Sequence, residues 1–121
     1  VVERSRVGAT PLEEISDAFL TRLAVEEGLS PRTIEAYAGD LRHLRTHLAN
    51  HGVDHVADIK SQDLSRFASY LNDRGMAATS RARVLVSVRR LLRYARERRE
   101  IVADPFEGIQ SPKRPRTLPR I

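Results

Sequence analysis

The 121-residue chain has no cysteine, which excludes disulfide frameworks, thiol nucleophiles and thiolate metal sites. No apolar run approaches the roughly 20 residues that a membrane-spanning helix needs. The opening Val1-Val2-Glu3-Arg4-Ser5-Arg6 lacks the apolar core of a secretory signal. Sustained strand alternation is missing, as is any repeat of solenoid length. Nor is there a GxSxG elbow, a Walker loop or a paired-carboxylate arrangement, so binding is favoured over catalysis and no cofactor is implied. What remains is a soluble, cytoplasmic domain with no membrane partner. Its 13.7 kDa suffices for one domain and not comfortably for two.

The charge is unevenly spread. Residues 1–77 carry 9 basic and 12 acidic side chains, a balance of −3, whereas residues 78–121 carry 12 basic and 4 acidic, a balance of +8. Such asymmetry points to a polyanionic partner for the C-terminal third, nucleic acid first among them. A solvated, Arg-rich helix would carry the same charge, and charge alone does not separate the two.

Hydrophobic spacing predicts an all-α bundle of four helices and a tail. Thr10-Pro11-Leu12-Glu13 reads as a capping box, with Leu12, Ile15, Phe19 and Leu23 repeating at helical spacing until Gly28. Ser30-Pro31 starts a second helix, with Leu29 and Ile34 placed as a hydrophobic staple. Its stripe is Ile34, Tyr37, Leu41, Leu44 and Leu48. Ser61 is placed to cap a shorter third helix bearing Leu64, Phe67 and Leu71, stopped by Gly75. The fourth and longest helix runs from about Ala78 to Glu100, with Val84, Leu85, Val88, Leu91, Leu92 and Ala95 as its apolar face. Asp104-Pro105 is its expected stop. Beyond Gly108, the stretch from Gln110 to Arg120 is basic, proline-rich and hence extended.

At about 100° per residue, Thr79, Ser80, Arg83, Ser87 and Arg90 fall in one sector of the fourth helix, roughly opposite its apolar face. Short hydroxyls beside guanidinium groups suit a DNA groove, where hydroxyls take phosphate or base edges and Arg forks onto guanine. A plain solvated face has the same composition. Arg81 falls towards the apolar side, as if the first turn extended beyond the core. On the second helix the corresponding sector holds Arg32, Ala36, Gly39 and His43, of which Ala36 and Gly39 are small enough for close approach by another surface, whether DNA or a protein helix. The helix start, with Ser30, Arg32 and Thr33, offers free amides to a phosphate.

His43, His47, His51 and His55 are spaced by four, which suggests zinc. No Glu follows His43 in the HExxH pattern and no third ligand is near, so a solvated polar flank is the preferred reading. Tyr37, Tyr70 and Tyr94 lie within amphipathic helices and read as partly buried core.

Taken in order, these pieces closely resemble the N-terminal core-binding domain of Xer-type tyrosine recombinases and phage integrases. The resemblance rests on Gly28-Leu29-Ser30-Pro31-Arg32-Thr33-Ile34-Glu35-Ala36-Tyr37, Asp40-Leu41, Asp63-Leu64, Phe67 and Leu71. It continues through the run from Ala78 to Leu85, Val88-Arg89, Tyr94, Asp104-Pro105-Phe106, Ser111-Pro112-Lys113 and Leu118-Pro119. It covers about residues 12–121. Asp104-Pro105 stands where the family usually has Asn-Pro, and Arg81 where an apolar residue is common.

The resemblance implies a four-to-five-helix, SAM-like orthogonal bundle over residues 10–109. A flexible arm over 1–9 would precede it, and a basic linker over 110–121 would lead to a catalytic domain. That second domain carries the family's His-x-x-Arg motif and tyrosine nucleophile. None of the four histidines here has Arg at the third following position, so this chain is expected to be non-catalytic by itself. The implied function is to clamp double-stranded DNA at a recombination site, alongside other recombinase protomers, with the isolated chain monomeric. The residues carried over as DNA contacts are Arg32, Thr33, Thr79, Ser80 and Arg83, then Ser30, Ser87 and Arg90. Lys113, Arg114 and Arg116 would follow phosphates along the linker. The alternative is a helical protein–protein interaction module whose basic tail is incidental.

Overall fold

A computed structural model describes residues 10–108. The helices are α1 (Leu12–Val25), α2 (Pro31–Ala49), α3 (Ser61–Asp73) and α4 (Ala78–Glu97), with short 3-10 turns at Val56–Asp58 and Pro105–Gly108. Among the described residues there is no strand, only an isolated bridge between Pro11 and His55. The expected all-α, SAM-like class is thus the one found. All of the arm over 1–9 and all of the linker, with Lys113, Arg114 and Arg116, lie outside the described residues.

The apolar stripes read from the sequence become one core. Leu12, Ile15, Phe19 and Leu23 of α1 meet Leu41, Leu44 and Leu48 of α2 and Val84, Val88, Leu91, Leu92 and Ala95 of α4. The second helix packs against all three others. A 13-residue helix such as α3 is marginal alone, so its stability comes from packing. Leu64 is 1% exposed and Phe67 and Leu71 are fully buried, each burial contributing about 1.5–3 kcal/mol.

Helix ends depart from expectation wherever a tertiary partner takes the capping group. Thr10 does not cap α1, whose first residue is Leu12 and whose cap position, Pro11, has no side-chain bond. Instead the Thr10 hydroxyl donates to Glu100 Oε1 at 2.6 Å, and the Leu12 amide donates to the Asp54 carbonyl at 2.9 Å. Ser61 likewise lies inside α3 and donates its hydroxyl to the Pro105 carbonyl at 2.6 Å. The start of α3 is closed by Asp63, whose carboxylate accepts the Lys60 amide at 2.9 Å. Ser30 does cap α2, accepting the Thr33 amide at 3.2 Å.

The fourth helix ends at Glu97, before the expected Glu100 and well before Asp104-Pro105. Arg99 adopts a left-handed conformation (φ +63°), and the Glu100 amide returns to the Ala95 carbonyl at 2.9 Å. That closure stops the helix without glycine. Asp104 instead organises the following turn, accepting the Phe106 amide at 2.9 Å. Phe106 is buried there, beneath an Arg89 guanidinium 4.6 Å from its ring centroid.

Candidate nucleic-acid interface

Among the described residues four polar side chains are buried in the apolar core, Ser16, Asp40, His47 and Ser87. Two of them meet across the seam between α2 and α4. Asp40, 2% exposed, accepts the Ser87 hydroxyl at 2.7 Å through Oδ2. The same carboxylate accepts Arg83 Nη2 at 2.8 Å and Nε at 3.2 Å. A buried carboxylate is costly unless paired and hydrogen-bonded, and here three donors meet that need. Asp40 raises the Arg83 pKa further above its ordinary value, first through the hydrogen bond and then through its charge. The Arg83 side chain nonetheless stays 58% exposed, fixed at its inner edge and open at its outer one.

Arg90, seven residues along α4 and so about two turns away, is engaged differently. Its Nη1 donates to the Tyr37 hydroxyl at 2.8 Å, and its Nη2 donates to both Glu27 oxygens at 3.0 and 2.9 Å. These contacts raise its pKa, with the Tyr37 hydrogen bond the largest cause and the Glu27 bond next. Residues 37 and 40 of α2 thus pair with 90 and 83 of α4, so the two helices run in opposite directions along the seam.

Five of the residues expected on one surface of α4 therefore separate. Thr79 and Arg83 are exposed and Ser80 half-buried, grouped at the helix start. Ser87 is enclosed at 2% exposure and has no open surface to offer, because its hydroxyl is needed by Asp40. Arg90 is directed at Tyr37 and Glu27. Arg81 turns back to the preceding loop, donating to the Met76 carbonyl at 2.7 Å.

The helix starts differ as well. Ser30 and Thr33 are exposed and bonded to each other, Oγ to Oγ1 at 3.0 Å. With Pro31 lacking an N–H, Thr33 capped by the Ser30 side chain and Ile34 bonded to the Ser30 carbonyl, only the Arg32 amide of that turn is unengaged among the described residues. The exposed Arg32 side chain has no ion pair among the described residues. At α4 the cap residue is Ala77, there is no side-chain cap and no acidic residue in the first turn. The amides of its first turn therefore have no side-chain cap, and its positive dipole end lies beside Thr79 and Ser80. On α2, a methyl group added at Gly39 would meet nothing within 4 Å, so no described side chain packs directly on that position, although Tyr70 and Arg74 of α3 border a cleft with Gly39 and His43.

The four histidines do not form one metal-holding cluster among the described residues. His47 is buried, its ring 4.4 Å from that of His51 and 4.9 Å from Tyr70, while His55 Nδ1 pairs with Asp54 at 2.7 Å. Burial foremost, then the charges of His51 and Arg66, lower the His47 pKa. No group of three or more His, Cys, Asp or Glu side chains among the described residues could hold a metal. No described helix is long and apolar enough to cross a membrane.

Asp40 is the residue that the sequence reading left without a role. Its signal was present: it immediately precedes Leu41 at the edge of the apolar stripe, where an acid requires a partner.

The architecture is that of an all-α domain with a hydroxyl- and arginine-bearing helix start beside an internally braced seam. The family model described as phage integrase, N-terminal SAM-like domain matches residues 16–99, and the chain belongs to that family. Tyrosine recombinase XerD of Shewanella oneidensis is 37% identical over 107 residues, which are 88% of this chain and 35% of that protein. Tyrosine recombinase XerD of Staphylococcus aureus is 30% identical over 110 residues, 91% of this chain and 37% of that protein. The chain therefore spans about a third of the length of the curated relatives it matches. No solved structure matches it.

Proposed function

We propose that this domain binds duplex DNA for a site-specific tyrosine recombinase, gripping the recombination site with the start of α4 and the exposed face of α2. The observation that carries the reading is Arg83, braced on Asp40 and exposed beside Thr79 and Ser80 at an uncapped, acid-free helix start. Arg32, exposed and without an ion pair among the described residues, extends the positive surface on α2. Hydroxyls and helix-start amides take phosphate oxygens, while guanidinium forks take phosphates or guanine. The role is binding and positioning, exercised in the cytoplasm together with other protomers. Lys113, Arg114 and Arg116 add phosphate contacts.

Fluorescence anisotropy with a labelled duplex across a salt series tests this. Neutralising about five phosphates gives a log K against log salt slope of roughly −4 to −5. No binding at low salt, or binding indifferent to salt, would instead support a helical protein–protein interaction module.

A further inference from the structure

We infer that Asp40 and Ser87 are positioning residues that aim Arg83 at a guanine edge, so that base preference at one position of the DNA depends on side chains that never touch it. The inference rests on the DNA-binding reading above and adds to it the chemistry that the site selects.

The argument begins with donor geometry. A guanidinium is planar and carries five N–H groups in a fixed fork. Arg83 gives its inner edge, Nε and Nη2, to Asp40. Its outer edge, formed by Nη1 and the second hydrogen of Nη2, has no partner among the described residues and presents two parallel N–H donors. Those match the O6 and N7 acceptors of guanine in the major groove. The plane of that fork is fixed because Asp40 is itself fixed, buried in the seam and held by the Ser87 hydroxyl at 2.7 Å.

Arg90 supplies an internal comparison. Both of its terminal nitrogens are engaged, by Tyr37 and Glu27, so no paired outer edge remains. Arg83 has one acidic partner on one edge and is 58% exposed, whereas Arg90 is 32% exposed. A phosphate contact needs only a positive charge within reach, which a mobile Lys provides. Burying a carboxylate to fix the plane of an exposed guanidinium serves a planar, two-acceptor target. The groove-facing edge of guanine is such a target.

The test is selection of bound duplexes from a randomised pool at low salt, with the full chain and its variants. The wild type is expected to enrich guanine at one position, and 7-deazaguanine there should lower affinity on the order of tenfold. Arg83→Lys keeps a cation beside Asp40 but loses the fork. It should abolish the preference at that position alone and change affinity for other duplexes only a few-fold. Asp40→Asn and Ser87→Ala should weaken the same single preference. Where Asp40→Asn does not fold, Ser87→Ala carries that arm, with its melting temperature measured alongside. A general packing defect would lower affinity for all duplexes together.

Retention of the guanine preference by Arg83→Lys, or an equal loss on every sequence, would overturn the inference and make Arg83 a phosphate anchor. Full preference in a folded Asp40→Asn or Ser87→Ala would remove their positioning role. Duplex binding by the wild type with no base preference overturns the inference and leaves the DNA-binding reading standing. No duplex binding at any salt overturns both.

Discussion

Arg90 of α4 donates through Nη1 to the Tyr37 hydroxyl of α2 at 2.8 Å, and its guanidinium carbon stands 5.7 Å from the same tyrosine's ring centroid. With Glu27 on its Nη2, this arginine fastens the turn between α1 and α2 to the fourth helix. The arrangement braces the seam that carries Asp40 and Arg83.

Arg90→Ala should therefore cost stability more than recognition. The contacts are charge-assisted but partly exposed, at 32% for Arg90 and 36% for Glu27, so a loss of about 1–2 kcal/mol is expected in urea unfolding. Binding to duplex DNA should change less than it does for Arg83→Lys. Unaltered stability together with a large affinity loss would instead make Arg90 a direct DNA contact.

The buried imidazole of His47 makes stability depend on pH. Its folded pKa lies below the ordinary 6.5, through burial first and the neighbouring positive charges next. The unfolded chain then takes up a proton that the folded chain resists, so stability rises with pH. The contribution is fully present above about pH 6.5 and is lost as pH falls from there through the folded pKa. Chemical denaturation at a series of pH values should show this fall in the wild type. His47→Phe, which keeps an aromatic ring beside Phe67 and Tyr70, should flatten it. An unchanged slope in that variant would place the pH dependence in another group.

How much of this was legible in the sequence follows from how far apart the partners lie along the chain. Helical stripes are local, and all of Leu12, Ile15, Phe19 and Leu23 became core as their spacing indicated. Caps such as Ser30, which bond three residues away, were equally readable. Thr10 was drawn off by Glu100, 90 residues on, and Ser61 by Pro105, 44 residues on, so their expected caps did not form. The candidate site divides the same way. The angular position of Arg83 opposite the core was visible, but not its pairing with Asp40, 43 residues earlier. Ser87 and Arg90 share that sector of a single helix, yet α2 turns one into a buried donor and the other into a brace. A helical wheel holds no information about the neighbouring helix.

Ser16 is buried completely, and its hydroxyl has no hydrogen-bond partner among the described residues. An unsatisfied buried polar group is unfavourable, and Ala is the better helix former. Ser16→Ala is expected to raise unfolding stability by up to about 1 kcal/mol, measured by urea denaturation. A loss of more than that amount would show that the hydroxyl has a partner in solution, such as a bound water.

The end of α4 offers a final test, because Arg99 occupies the left-handed region at φ +63°, where side chains are disfavoured. The backbone there is fixed by closure: the Arg99 amide returns to the Arg96 carbonyl at 3.0 Å and the Glu100 amide to Ala95 at 2.9 Å. Glycine reaches this conformation without the side-chain penalty, although it also gives the unfolded chain more freedom. Arg99→Gly should therefore stabilise the domain modestly, by about 0.5 kcal/mol once the two effects oppose each other. A β-branched residue has the steric penalty at its greatest, so Arg99→Val should destabilise by about 1 kcal/mol or more. The measurement is the difference between the two variants under one set of denaturation conditions, since both remove the same positive charge. If Val were tolerated as well as Gly, Arg99 would not be left-handed in solution, and the Schellman-type closure would not be what stops α4.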